Sequence, residues 1–132
     1  MLLVYPVIIE KNKSEKYYNV FIPDFNVNTE GESIADSIEM ARDAIGLCAL
    51  SNIEDFGREL PPASDISSIK TDENSFVTLV DVNYEEYKRK HDNRTVRRNV
   101  TLPAWLDQAA REAKINVSSV LKKALKSELN IE

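Results

Sequence analysis

Residues 95 to 102 read TVRRNVTL, an apolar/polar alternation that Pro103 stops, and two short helical patterns follow within fewer than forty residues. Side chains of an extended chain point alternately to opposite sides, so Val100 and Leu102 share one side and Arg97, Asn99 and Thr101 the other. A strand this short cannot bury a core by itself, and the stretch makes sense only if another copy completes it. Pro103 suits the first position of a helix, where its missing N–H costs nothing. The first helical pattern, about 103 to 113, places Leu106, Ala109, Ala110 and Ala113 inward with Trp105 at a flank. Lys114, Ile115 and Asn116 break it. Asn116 then reads as the N-cap of a second helix with Ser118 and Ser119 in its first turn, and Val120, Leu121, Ala124, Leu125 and Leu129 form its apolar stripe.

The polar side of that alternation has a chemistry. Arg donates two bonds to a guanine edge, Asn pairs bidentately with adenine, and Thr offers a hydroxyl and a methyl, so Arg97, Asn99 and Thr101 suit reading of a DNA major groove. The free amides at the start of the second helix, at Asn116, Ser118 and Ser119, suit a phosphate. Charge divides the chain in the same place. Residues 1–83 hold six Lys/Arg against fifteen Asp/Glu, net -9, and residues 84–132 hold eleven against seven, net +4, which together give the overall -5. Such asymmetry points to separate partners for an acidic body and a basic tail. The plainer alternative is a strand and helical hairpin docked on the body with its polar side merely solvated.

Within the body, LLVYPVIIEK reads as a strand, with Pro6 near its start or on an edge, then NKSE as a turn and KYYNVFIPDF as a second strand. NVNTEGE is a short third strand or extended loop. Ser33 reads as an N-cap with Asp36 in an approximate capping box, opening a helix over roughly 33–52 whose stripe is Ile34, Ile38, Ala41, Ile45 and Cys48. GRELPPASDI is a loop and SFVTLVDVNY a last strand. The expected class is therefore α+β, a small antiparallel-type sheet with one helix in the order β-β-β-α-β. The domains expected are 1–83, a charged linker at 84–94 with room for a helical turn at its start, and 95–132.

Length and composition narrow the function. At 132 residues the chain fits one domain of about 80 residues plus an appendage too small to be stable as a monomer. Its apolar runs are too short for a bilayer, its start lacks the features of a signal peptide, and its single cysteine suits a reducing cytoplasm. An enzyme is not expected. The carboxylates show no convergent set for two-metal hydrolysis. Cys48 lies in a helix stripe and His91 in the linker, so they do not form a nucleophile and base; no Gly-rich phosphate loop and no zinc set is present. No catalytic residue, metal or cofactor is expected.

Strand, helix, helix with this alternation and proline placement resembles the ribbon-helix-helix family, whose members pair one strand from each chain into a ribbon that enters the major groove. That resemblance implies a homodimer, with the oligomer beyond a dimer left open, and implies Arg97, Asn99 and Thr101 as the base-reading positions. Arg98 departs from the pattern by occupying a side usually apolar, which suits a phosphate contact at the ribbon's end. With YPVIIEK, YYNVFIPDF, EGESIADSIEMARDAI and ELPPASD ahead of it, nearly the whole chain resembles the HicB antitoxins of type II toxin-antitoxin modules.

The resemblance implies that the body is a degenerate, non-catalytic ribonuclease-H-like fold that blocks a small basic HicA-like toxin, an mRNA interferase, while the tail represses the operon by binding operator DNA. The acidic balance is what an inhibitor of a basic RNA-binding protein needs. Asp24, Glu30, Glu32 and Asp36, with Tyr17 or Phe25 as an apolar anchor, are the candidate toxin contacts, although Asp36 also has a capping role, the glutamates read equally as solvated and the aromatics as core. The alternative is a stand-alone ribbon-helix-helix regulator whose body senses a small ligand.

Overall fold

Leu3, Tyr5, Val7 and Ile9 alternate along one strand and are all buried, so that strand presents a complete apolar face every second residue. The structure, a computed structural model, describes residues 1–11, 14, 16–92 and 95–131. Asn12, Lys13 and Glu15 of the expected NKSE turn, Asn93 and Arg94 at the end of the expected linker, and Glu132 lie outside the described residues. The chain divides into two compact units, Met1–Arg94 and Thr95–Glu132.

In the first unit, β1 (Leu2–Lys11), β2 (Tyr18–Ile22), β3 (Val27–Gly31) and β4 (Ser75–Asn83) form one antiparallel sheet in the order β3-β2-β1-β4. Ile9 sits opposite Val20 and Phe76, and Tyr5 opposite Val80, so the inward rows of β1, β2 and β4 coincide. Pro6 lies within β1, an inner strand. β2 pairs with β1 only from Ile8 to Lys11, so at Pro6 that side of β1 faces no paired strand, which is where a missing N–H is tolerated.

The helix α1 (Ile34–Leu50) starts where the sequence predicts. Ser33 Oγ accepts a hydrogen bond from the Asp36 amide at 3.0 Å, and Asp36 Oδ2 accepts one from the Glu32 amide at 2.8 Å. The buried row differs from the expected stripe. Ser37, Ala41, Ile45 and Ala49, spaced by four, are fully buried, while Ile34 is 47% exposed and Cys48 half-buried. Close approach explains the rotation: a Cβ on Gly31 would lie 2.3 Å from Ser37 Oγ, so small residues at β3's end and on the helix let the two meet. Ser37 Oγ satisfies itself by donating to Ser33 O at 2.7 Å. Each large aliphatic side chain buried in this core contributes about 1.5–3 kcal/mol.

α1 continues into a π-helical turn, Ser51–Asp55, and a loop runs from Phe56 to β4 with a 3-10 turn at Ile66–Ser68. The loop is strapped to the sheet. Tyr5 OH donates to Pro61 O at 2.7 Å, and the Asp24 carboxylate accepts from Ser64 N and Oγ, at 2.5 Å for the hydroxyl. Arg42 of α1 reaches the outermost strand, where Nε donates to Asp81 O and Nη2 to Asp81 Oδ1, both at 3.2 Å.

The segment expected as a linker over 84–94 contains a second helix, α2 (Tyr84–His91). Asn83 Oδ1 caps it by accepting from the Glu86 amide, acidic Glu85 and Glu86 fall in its first turn, and Lys88 to His91 in its last, the arrangement a helix dipole favours. Tyr84 is buried, and its amide donates to Met1 O. Tyr87 lies over Gly46 of α1 so closely that a Cβ there would be 2.4 Å from its ring. These two tyrosines bind a helix that is otherwise charged.

The second unit contains α3 (Ala104–Glu112) and α4 (Val117–Glu128). Pro103 stands at the N-cap rather than inside the first turn, and its carbonyl accepts from the Leu106 and Asp107 amides. Both helices end alike. Lys114 and Asn130 adopt left-handed φ of 55°; Ile115 N donates to Ala110 O with Lys114 N to Arg111 O, and Ile131 N to Lys126 O with Asn130 N to Ser127 O, the paired bonds of a Schellman termination in each helix. Residues 95–102, expected as a strand, are irregular in the structure and pair with no strand among the described residues. Among the described residues of this unit none is buried.

Candidate functional surfaces

The junction of β3 with α1 builds an acidic surface of the first unit. Because Gly31 ends β3 directly against Ser37, the strand's last residues and the helix's first turns form the walls of a shallow groove lined by Tyr17, Glu30, Glu32, Asp36 and Met40. Tyr17 is 44% and Met40 37% exposed, so two apolar side chains stand among three carboxylates. Four of the six predicted contacts are brought together here. Asp24 and Phe25 are not: the Asp24 carboxylate holds Ser64, and the Phe25 ring packs edge-on against Tyr5 at 4.8 Å between centroids. Both serve the strap instead. Met40 was not among the predicted contacts, although its position one turn beyond Asp36 on α1 was the available signal.

A larger open cleft of about 620 Å³ lies between α1, α2 and the end of β4. Its charges are matched within its own walls: Arg42 Nη1 donates to Glu39 at 2.7 Å and Nη2 to Asp81, and Lys90 to Glu86 at 2.9 Å. Tyr87 OH lies 3.1 Å from Asp43 Oδ1, and burial together with that carboxylate pushes its pKa up to about 12. Burial also pushes the Cys48 thiol up, away from the reactive thiolate. Among the described residues no three of His, Cys, Asp and Glu gather as metal ligands.

In the second unit Arg97, Arg98, Asn99 and Thr101 are all exposed, on the irregular segment before Pro103. Asn116 caps α4 as the sequence predicts, its Oδ1 accepting from the Ser119 amide at 3.1 Å. The cap therefore uses one of the amides proposed for a phosphate, while those of Val117 and Ser118 have no partner inside the helix. Ser118 and Ser119 are exposed beside them. Val100 (57%), Leu102 (41%), Val120 (53%) and Leu125 (52%) are exposed as well, so the apolar side of this unit faces outward with the polar one.

No described helix is long and apolar enough to cross a membrane. A family model described as the HicB-like antitoxin of bacterial toxin-antitoxin system matches residues 5–125. Among solved structures, a chain of a toxin-antitoxin complex from Streptococcus pneumoniae is 26% identical, with a TM-score of 0.61 and coverage of 97% of this chain and 99% of that one. The crystal structure of the Burkholderia pseudomallei antitoxin HicB is 25% identical, with a TM-score of 0.54 and 97% of each chain covered. No curated protein matches the sequence significantly.

Proposed function

The chain belongs to the HicB-like antitoxin family of bacterial toxin-antitoxin systems, and from that premise we propose that it neutralises a small basic mRNA-cleaving toxin through residues 1–94 and represses its own operon through residues 95–132. Both activities are non-catalytic and cytoplasmic. The acidic groove of Tyr17, Glu30, Glu32 and Asp36 meets the toxin's basic RNA-binding surface, where opposite potentials steer association and fix register. The ribonuclease-H-like ancestry that the sequence resemblance implies for the sheet and α1 enters here as scaffold alone.

One observation carries the second half of the reading. Residues 95–131 hold apolar side chains at regular spacing and bury none of them. A unit of fewer than forty residues without a core needs a partner, and the partner that supplies matching apolar faces and a matching strand is a second copy. Pairing 95–102 of two chains closes the ladder and projects Arg97, Asn99 and Thr101 together, with Arg98 and the start of α4 at Asn116, Ser118 and Ser119 placed for phosphates.

Operator binding tests this directly. Asn99→Ala is expected to cost about 1–3 kcal/mol of discrimination between operator and unrelated DNA, measured by competition mobility shift, and an unchanged ratio removes Asn99 from the base-reading set. Affinity falls steeply as salt rises, because displaced counterions supply much of it.

A further inference from the structure

The sheet face turned away from a packed helix is ordinarily solvated, with polar residues at every second position. Along β1 and β4 that alternation fails. On the face opposite to Leu3, Tyr5, Val7 and Ile9, the register sets Leu2, Val4, Pro6 and Ile8 of β1 beside Asn83, Asp81, Leu79 and Val77 of β4, with Phe21 of β2 opposite Ile8. Leu2 is 64%, Val4 40% and Leu79 57% exposed. By the same register the ionisable residues of this face are Glu10, Glu30 and Asp81, all acidic. Glu30 also lines the groove at β3 and α1, so the two surfaces are continuous.

We infer that this outer sheet face is the anchoring half of the toxin contact: a basic protein seats an apolar patch on Leu2, Val4 and Leu79 while its cations meet Glu10, Glu30 and the groove. This rests on the antitoxin reading and assigns that reading its energetic centre. Charge complementarity selects the occupant. A second copy applied to the same face would set its own Glu10 and Glu30 against identical carboxylates, an arrangement that disfavours association, whereas a basic partner turns the same rim into attraction. The layout, apolar in the middle and charged at the border, is the one in which a few central side chains dominate binding.

The test uses the full chain and, as probe, the product of the neighbouring reading frame, which the antitoxin reading requires to be a small basic protein, purified separately and titrated by calorimetry. Val4→Lys and Leu79→Lys are each expected to weaken binding about tenfold or more, with unaltered thermal midpoints showing that both variants are folded. Leu47→Lys, at a 57% exposed position of α1, is expected to bind like the unaltered chain. Binding unchanged in both β-strand variants overturns the inference while leaving the antitoxin reading in place. No binding by the unaltered chain overturns the reading itself and the inference with it. Binding retained with a reduced assembly mass in Leu79→Lys assigns the face to a second copy and likewise overturns it.

Discussion

The unit Met1–Arg94 buries twelve hydrophobic side chains, whereas no described residue of Thr95–Glu132 is buried, although both carry apolar residues at the spacing of their helices. Charge separates them as well: ten basic against eighteen acidic residues in the first, net -8, and seven against four in the second, net +3. Periodicity reports that a face exists and not what it meets. In the first unit the sheet and α1 supply each other's missing contacts. In the second each helix presents a stripe with too little chain behind it within the unit to close a core.

The strongest way to break that contrast is Leu125→Asp. If the second unit stood alone, an aspartate at this 52% exposed position would change stability by less than about 0.5 kcal/mol. If a second copy covers Leu125, a buried unpaired charge costs about 3–5 kcal/mol, and sedimentation shows the dimer falling to monomers. A mass identical to the parent's would refute the need for a second copy.

A smaller effect sharpens the other side of the comparison. Gly46→Ala gains about 1 kcal/mol of helix propensity, but its methyl would meet the Tyr87 ring at 2.4 Å, and overpacking of about 1–3 kcal/mol opposes the gain. Net destabilisation of the first unit alone, with α2 displaced from α1, is the expected outcome in a chemical denaturation series. A stabilised variant would mean that α2 is not held by this contact.

The smallest effect is in pH. The Tyr87 pKa stands raised from 10.0 to about 12, chiefly by burial and then by the Asp43 carboxylate, so the folded state holds the phenol proton more tightly than the unfolded chain. The stability this contributes is complete below about pH 10 and is lost as pH rises through about 12. Absorbance at 295 nm is expected to show a late-titrating tyrosine that Tyr87→Phe removes.

The order β-β-β-α-β, the cap at Ser33 and the cap at Asn116 were legible because each rests on local chemistry: alternation for strands, a side-chain oxygen for helix starts. α2 was not, because its density of charge reads as a linker, although Asn83, Glu85, Glu86 and the basic last turn spell a complete helix signal. What the pattern lacked was any sign that Tyr84 and Tyr87 would dock it against the body, with Lys88 paired to Glu54 beside them. The α1 stripe came out rotated since Ser37 and Gly31 meet by close backbone approach, which no hydropathy pattern records. Of the groove, Glu30, Glu32 and Asp36 followed from their nearness in sequence and Tyr17 from its apolar body, whereas Asp24 lies apart from them because its turn directs the carboxylate to Ser64. The alternation of 95–102 was visible, but the structure leaves that segment irregular, with no strand beside it among the described residues.

Arg42 has a consequence beyond its ion pairs. β4 is one of the sheet's two edge strands, and the guanidinium already occupies its Asp81 carbonyl. Pairing of a foreign strand along that one border is hindered near its end by a single cation leaning over from the helix.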